Sequence, residues 1–254
     1  MDAFPFPRTL IWVVVLILVP AVHAGIAGQP IEVVIEIWPP FRIGDAQTPE
    51  SIRGIDIDVL NLLTERLGVT YRIQRLPWAR CLIFMETGEA DLISGLAHTP
   101  ERARYIRYSV IPYHTVSPAF YVRTGNAGRI RGYADLAPLT IAYSLKSAYF
   151  EPFDSDGELY KIGVSTEKQL LLMLAAGHVD TIIGTDANVA YDMAAMGLGD
   201  EIEQAVYRPD HHTDLYLGIS RGSPLMERAG EIDRILKEIV QGGEMDAILG
   251  NYFK

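Results

Sequence analysis

The chain has 254 residues, with 22 Lys plus Arg against 32 Asp plus Glu and a formal net charge of −10. At 49% hydrophobic and 21% charged it can bury the core of one large domain or two ordinary ones, which a disordered chain cannot. The acidic balance argues against nucleic acid and against an anionic membrane face, and the single cysteine, Cys81, excludes an internal disulfide and a cysteine-based metal cluster.

Arg8 precedes an apolar run from Leu10 to Val19, which stops at Pro20. Ten residues of helix rise about 15 Å, half of the roughly 30 Å hydrocarbon core. The run therefore reads as a cleaved secretory signal over residues 1–24, with an uncleaved anchor as the alternative. Val22-His23-Ala24 and Ala24-Gly25-Ile26-Ala27 both fit a cleavage site, so the mature chain is expected to start at Gly25 or Gly28. No cysteine stands there to carry a lipid. Cys81 is expected to be a small buried hydrophobe rather than a reactive thiol.

In the mature chain, apolar residues at 31, 33, 35 and 37 predict a strand running into Trp38-Pro39-Pro40-Phe41. Asp56 or Asp58 is expected to cap a helix whose Ile57, Leu60, Leu63 and Leu67 share a face, closed by Gly68. Val69, Tyr71 and Ile73 alternate as a strand. A helix from Trp78 to Glu86 and a strand from Ala90 to Leu96 follow. This β-α-β-α-β order implies parallel strands. Further on, Leu139–Tyr143 reads as a strand and Ser147 as the opening of a short helix. Ser165 or Thr166 caps a helix over Glu167–Ala176, and Val179–Ile183 is a buried strand before a helix from Ala187 to Met196. Leu215–Ser220 is a late strand, and Ser223-Pro224 starts a long helix reaching Val240.

Gly54-Ile-Asp-Ile-Asp58, Gly88-Glu-Ala-Asp-Leu-Ile93 and Thr99-Pro-Glu-Arg102, in this order and spacing, resemble the family 3 bacterial solute-binding proteins, the periplasmic receptors of polar amino-acid ABC importers. The resemblance spans Glu32 to Phe253. It implies an α/β, two-lobed type II periplasmic-binding fold, with lobe 1 over residues 28–113 plus 215–254, lobe 2 over 114–214, and hinge crossings near Tyr113–Thr115 and Asp214–Leu217. It also implies a periplasmic monomer that delivers a small carboxylate-bearing solute to a membrane ABC permease, without metal or organic cofactor. The family's carboxylate-binding arginine falls on Arg102, whose planar guanidinium suits a carboxylate, with backbone help from Ser94, Gly95 and Ala97. Ser147 and Ala148 fall on a helix N-terminus facing the anion, where Ser147 can equally be a cap. Trp38 and Trp78 fall on pocket walls, with core filling as the alternative for each. The family's ammonium-binding acid would fall on Thr185, while the acid here is the next residue, Asp186. Either the helix start slips by one residue or the ammonium site is absent.

Other classes leave traces. Gly218-Ile-Ser220-Arg-Gly222 matches a serine-hydrolase elbow, yet the last histidine, His212, precedes the serine where that fold needs it after. Asp210, His211, His212 and Asp214 read as a metal set or an exposed loop, and His98 as a cleft or a solvated residue. Periplasmic dehydratases resemble such receptors and need a cleft acid, for which Asp186 or Glu101 are candidates. A ligand sensor without transport is a third class.

Overall fold

The computed structural model describes Met1, residues 29–44 and residues 51–253. The predicted signal and its cleavage sites lie outside the described residues. Among those residues, no helix is long and apolar enough to cross a membrane.

The chain folds into two α/β lobes, each built on its own sheet. In the first lobe, β1 (Ile31–Ile35) lies between β2 (Tyr71–Arg75) and β3 (Leu92–Leu96), all parallel. Val33 and Ile35 pack with α1 (Ile55–Leu67), whereas Val34 packs with α2 (Trp78–Thr87). β1 is thus apolar on both faces, as a central strand of a covered parallel sheet must be. The helices supply the crossovers, so the predicted β-α-β-α-β order holds.

β4 (Ile106–Tyr108) and β5 (His114–Val116) follow, and β6 (Pro118–Arg123) begins the second lobe. Its sheet runs β10-β6-β9-β7-β8, comprising β7 (Ile141–Ser144), β8 (Lys161–Val164), β9 (Thr181–Thr185) and β10 (Ile202–Gln204). α3 (Glu167–Ala175) and α4 (Asp186–Met196) flank it. β11 (Thr213–Ser220) then returns to the first lobe, pairing with β5 through Thr213–Leu215 and with β3 beyond Tyr216. The two crossings between lobes therefore lie side by side as one antiparallel pair. α5 (Ala229–Gln241) and α6 (Glu244–Tyr252) close the first lobe, and Tyr252 clips α6 to α1 through a 2.9 Å bond to Asp58.

Three local expectations are corrected. Neither Asp56 nor Asp58 caps α1: the chain enters at Gly54, whose φ of 134° and close approach to the Phe41 carbonyl leave no room for a side chain, and Asp56 turns inward. No helix opens at Ser147. The Ser147 N–H donates to the Ser144 carbonyl at 3.1 Å, and the Tyr149 N–H is taken by the Asp154 carboxylate at 2.9 Å. Tyr149, Phe150 and Phe153 insert into the core of the second lobe, so side-chain anchoring replaces a helical ladder. After Ser223, whose Oγ accepts from the Leu225 N–H at 3.1 Å, a tight turn over Pro224–Arg228 precedes the true start of α5.

Candidate functional site

A pocket opens between the lobes at the carboxyl ends of the parallel strands, where such sheets place ligands. The lobes touch around it. Arg102 Nη2 and Trp78 Nε1 both donate to the Lys146 carbonyl, at 2.6 and 3.3 Å. Asn188 Nδ2 reaches the Pro39 carbonyl across the junction at 2.9 Å, and on the β11 crossing Thr213 Oγ1 reaches the Tyr149 carbonyl at 3.2 Å.

Arg102 follows β3 in a tight turn whose Thr99 Oγ1 accepts its N–H at 3.2 Å. It is 5% exposed, its Nη1 donates to the Ala97 carbonyl at 2.9 Å, and burial lowers its pKa from the ordinary arginine value. Its guanidinium bonds two main-chain carbonyls, one from each lobe, and forms no ion pair among the described residues. Of five N–H donors it uses two. The Trp78 ring lies 5.6 Å from its Cζ.

Trp38 stacks on Phe41 with centroids 4.5 Å apart, and Arg42 Cζ sits 5.1 Å from the Trp38 ring. Arg42 is neutralised: it pairs with Asp56, and its Nε donates to the Glu36 carbonyl at 2.7 Å and Nη1 to the Ser94 carbonyl at 3.2 Å. Asp56 also accepts from Tyr113 Oη at 2.6 Å and Ser94 Oγ at 2.9 Å. Gly95 is required beside this network. Its φ is 70°, and a Cβ there would lie 2.3 Å from Arg42 Nη1.

Of the residues singled out in the sequence, Trp38, Trp78, Gly95, Ala97, Arg102, Ser147, Ala148 and Thr185 come together on the pocket lining. Two do not. Ser94 is buried beneath it, committed to Asp56 and Arg42. Asp186 opens α4 on the exposed side, where its Oδ1 accepts the Ala187 N–H at 2.8 Å. The helix start does not slip to bring an acid inward, and Thr185 occupies that place with its Oγ1 unpartnered.

The sequence reading missed Arg42, Asp56 as a buried partner, Glu36 and Glu167. Glu36 follows β1 and Glu167 opens α3, and both line the pocket. Among the described residues Glu36 Oε1 and Glu167 Oε2 are buried without a well-formed hydrogen bond, although the Trp78 main-chain N–H faces the Glu36 carboxyl and the Ser144 hydroxyl faces that of Glu167. Burial pushes the Glu36 carboxyl up to about 7 against the pull of Arg42. Burial, then repulsion from Glu36 and Asp192, pushes Glu167 up to about 8. The available signal was the unbroken apolar run Val33-Val34-Ile35: a strand buried on both faces leaves the glutamate after it no solvent side.

The remaining motifs resolve simply. Ser220 Oγ is buried and donates to the Met85 carbonyl at 2.7 Å, so it is no nucleophile elbow. Cys81 is buried, its thiol pushed up to about 12 by burial, and is inert packing. Among the described residues no cluster of three or more His, Cys, Asp or Glu side chains is arranged to hold a metal. His211 packs near Phe150, and His212 Nδ1 lies 3.0 Å from Ser117 Oγ. His98 is exposed against Tyr108 on the wider groove beyond Arg102.

A family model described as bacterial extracellular solute-binding proteins, family 3, matches residues 31–254. No curated protein matches by sequence. Among solved structures, a histidine kinase sensor domain with similarity to periplasmic binding proteins superimposes with a TM-score of 0.78 at 20% identity, covering 89% of this chain and 96% of its own. A mutant of ArgBP from T. maritima gives 0.76 at 20%, covering 88% and 94%. The arginine-, lysine-, histidine-binding protein ArtJ from Geobacillus stearothermophilus gives 0.76 at 20%, covering 89% and 95%. At such identities the likeness concerns the fold.

Proposed function

The chain belongs to the bacterial extracellular solute-binding proteins of family 3, and from that premise we propose that it captures a small carboxylate-bearing solute between its lobes for a membrane ABC permease. In this reading it is a secreted periplasmic monomer, with lobe 1 over residues 28–113 plus 215–254 and lobe 2 over 114–214. The observation that carries it is Arg102: a guanidinium nine-tenths buried at the lobe junction, bonded to neutral carbonyls of both lobes and without an ion pair among the described residues, with donors to spare. A buried cation without an anion is costly, and a ligand carboxylate relieves that cost with two-pronged geometry. Trp38 and Trp78 form the walls. Ligand binding draws the lobes together about the β5–β11 crossings, because it favours the state in which both lobes contact it.

The test is a thermal-shift screen of amino acids, organic acids and polyamines, since a ligand raises apparent stability by mass action. Titration of Arg102→Ala with the best hit follows. Loss of binding in a folded variant supports the reading, and affinity within threefold of wild type sinks it.

One observation favours a second reading, a dehydratase on the same fold. The Glu167 carboxyl, pushed up to about 8, holds at neutral pH the proton that a leaving hydroxyl requires. Turnover of prephenate, lost in Glu167→Gln, would establish it. Unchanged prephenate after prolonged incubation would exclude that substrate.

A further inference from the structure

Arg102 and the two glutamates stand at opposite ends of the pocket. The groove beyond one end is lined by Arg102 and by neither glutamate. The cavity beyond the other is lined by Glu36 and Glu167 and not by Arg102. The glutamates come from different lobes, Glu36 from the end of β1 and Glu167 from the start of α3, so the acid pair is complete only when the lobes meet. Glu36 is 8% exposed, has a buried carboxylate oxygen without a well-formed hydrogen bond, and lines a pocket walled by two indoles. Among the described residues Asn188 Oδ1 and Thr185 Oγ1 are buried and unpartnered as well, as is the Arg75 Nη1 donor in the outer cavity. Two carboxylates with unmet oxygens, beside aromatic faces, match a cation's needs.

We propose that Glu36 and Glu167 form an inter-lobe cation subsite that takes the distal ammonium or guanidinium of a solute whose carboxylate lies on Arg102, and that a proton occupies it when the solute is absent. The carboxylate half of this statement rests on the proposed function above, whereas the cation half rests on the acid pair alone.

The charged surroundings are compatible with a shared proton. Arg42 and Arg75 face Glu36, and the neutral Cys81 thiol lies near it. Arg42 is already committed to Asp56, and Arg75 lines the outer cavity rather than the pocket. Glu36 and Asp192 face Glu167, the neutral Tyr149 phenol lies near it, and Lys168 offsets Asp192. Like charges at one site do not both ionise freely, so the pair titrates as a unit. A cation entering the pocket displaces the proton, and its binding strengthens as pH rises through the neutral range.

Calorimetric titration with L-arginine and its neutral isostere L-citrulline isolates the distal charge, because the two share the carboxylate and α-ammonium. At pH 8 arginine is expected to bind at least about 30-fold more tightly, the effect of one well-desolvated charge contact. The ratio should shrink at pH 5.5, and arginine binding should release protons in buffers of differing ionisation enthalpy. Glu167→Gln and Glu36→Gln should each bring the ratio close to one. Agmatine, which keeps the guanidinium and lacks the carboxylate, separates the two halves. If agmatine binds as tightly as arginine and still depends on Glu167, the carboxylate reading falls and the cation subsite stands. Equal affinities for arginine and citrulline overturn the subsite, as does no binding of arginine, lysine or agmatine. A Glu36 that merely served Arg75 would lower the melting temperature in Glu36→Gln while leaving the arginine-to-citrulline ratio intact, which also overturns it.

Discussion

Arg42 and Arg102 both line the pocket and both are at least nine-tenths buried, yet their partners differ in kind. Arg42 is neutralised by Asp56 within its own lobe, and Asp56 is tied in turn to Tyr113 and Ser94. Arg102 reaches across the lobe junction to a carbonyl and forms no ion pair among the described residues. A charge network neutralised within one lobe holds a shape, whereas a buried cation without a counter-ion leaves a place that an anion would fill. Polar satisfaction, more than residue type, separates scaffold from site here.

The most severe way to break this contrast is Arg42→Ala. It strands Asp56 without its counter-ion, and removing one partner of a buried pair costs about 3–5 kcal/mol. Urea unfolding should show that loss in the empty protein. Arg102→Ala should leave the unfolding midpoint nearly unchanged and weaken ligand binding instead. The expected loss is about 2–5 kcal/mol, or roughly 30-fold to several thousand-fold in dissociation constant. Arg102→Lys should restore little, because an ammonium lacks the paired donors. If the two alanine variants exchanged these phenotypes, the roles assigned to the arginines would be reversed.

The acid pair sharpens the contrast through pH. Burial raises both carboxyls above the ordinary 4.5, so the folded protein holds protons that the unfolded chain has already released. Their contribution to stability is fully present below that value, and it is lost as pH rises through about 7 for Glu36 and about 8 for Glu167. Asp154, raised by burial to about 6, acts in the same sense, so the comparison must be between variants. The melting temperature of the empty protein should fall between pH 5.5 and pH 8.5. Glu167→Gln should flatten that fall, and an unchanged slope would show that the proton is held elsewhere.

The parallel half of the first lobe was legible because β-α-β-α-β order is a local pattern, with apolar period and helix-closing signals within a few residues. The antiparallel strands were harder. β4, β5 and β10 have three residues each, too short for a period, and take their structure from partners distant in the chain. Ser147 offered a good helix start, but three buried aromatics just beyond it decided otherwise. Asp56 at a helix start looked like a cap because the sequence does not show that Arg42 folds back onto it. Trp38, Trp78 and Arg102 were legible through the family resemblance. Glu36 and Glu167 belong to no short motif, and only the meeting of two lobes makes them a pair.

Two buried serines provide the smallest test of the same principle. Ser220 Oγ donates to the Met85 carbonyl at 2.7 Å and receives the Gly222 N–H at 3.4 Å, so it belongs to the satisfied scaffold. Ser144 Oγ is equally buried but makes no well-formed hydrogen bond among the described residues, its one polar contact being a weak one to the Glu167 carboxyl. Ser220→Ala removes a made bond and leaves a carbonyl in the core unpaired, for a cost of about 1–3 kcal/mol. Ser144→Ala removes a hydroxyl desolvated for no more than that weak contact, so the empty protein should be unchanged or more stable by up to about 1 kcal/mol. Both substitutions delete one oxygen from a buried strand residue, so their volume terms nearly cancel and the difference isolates satisfaction. Denaturant melts of the two variants measure it directly. Equal destabilisation would mean that the contact with Glu167 is a full hydrogen bond, and the pocket-facing end of β7 would then belong to the scaffold rather than to the site.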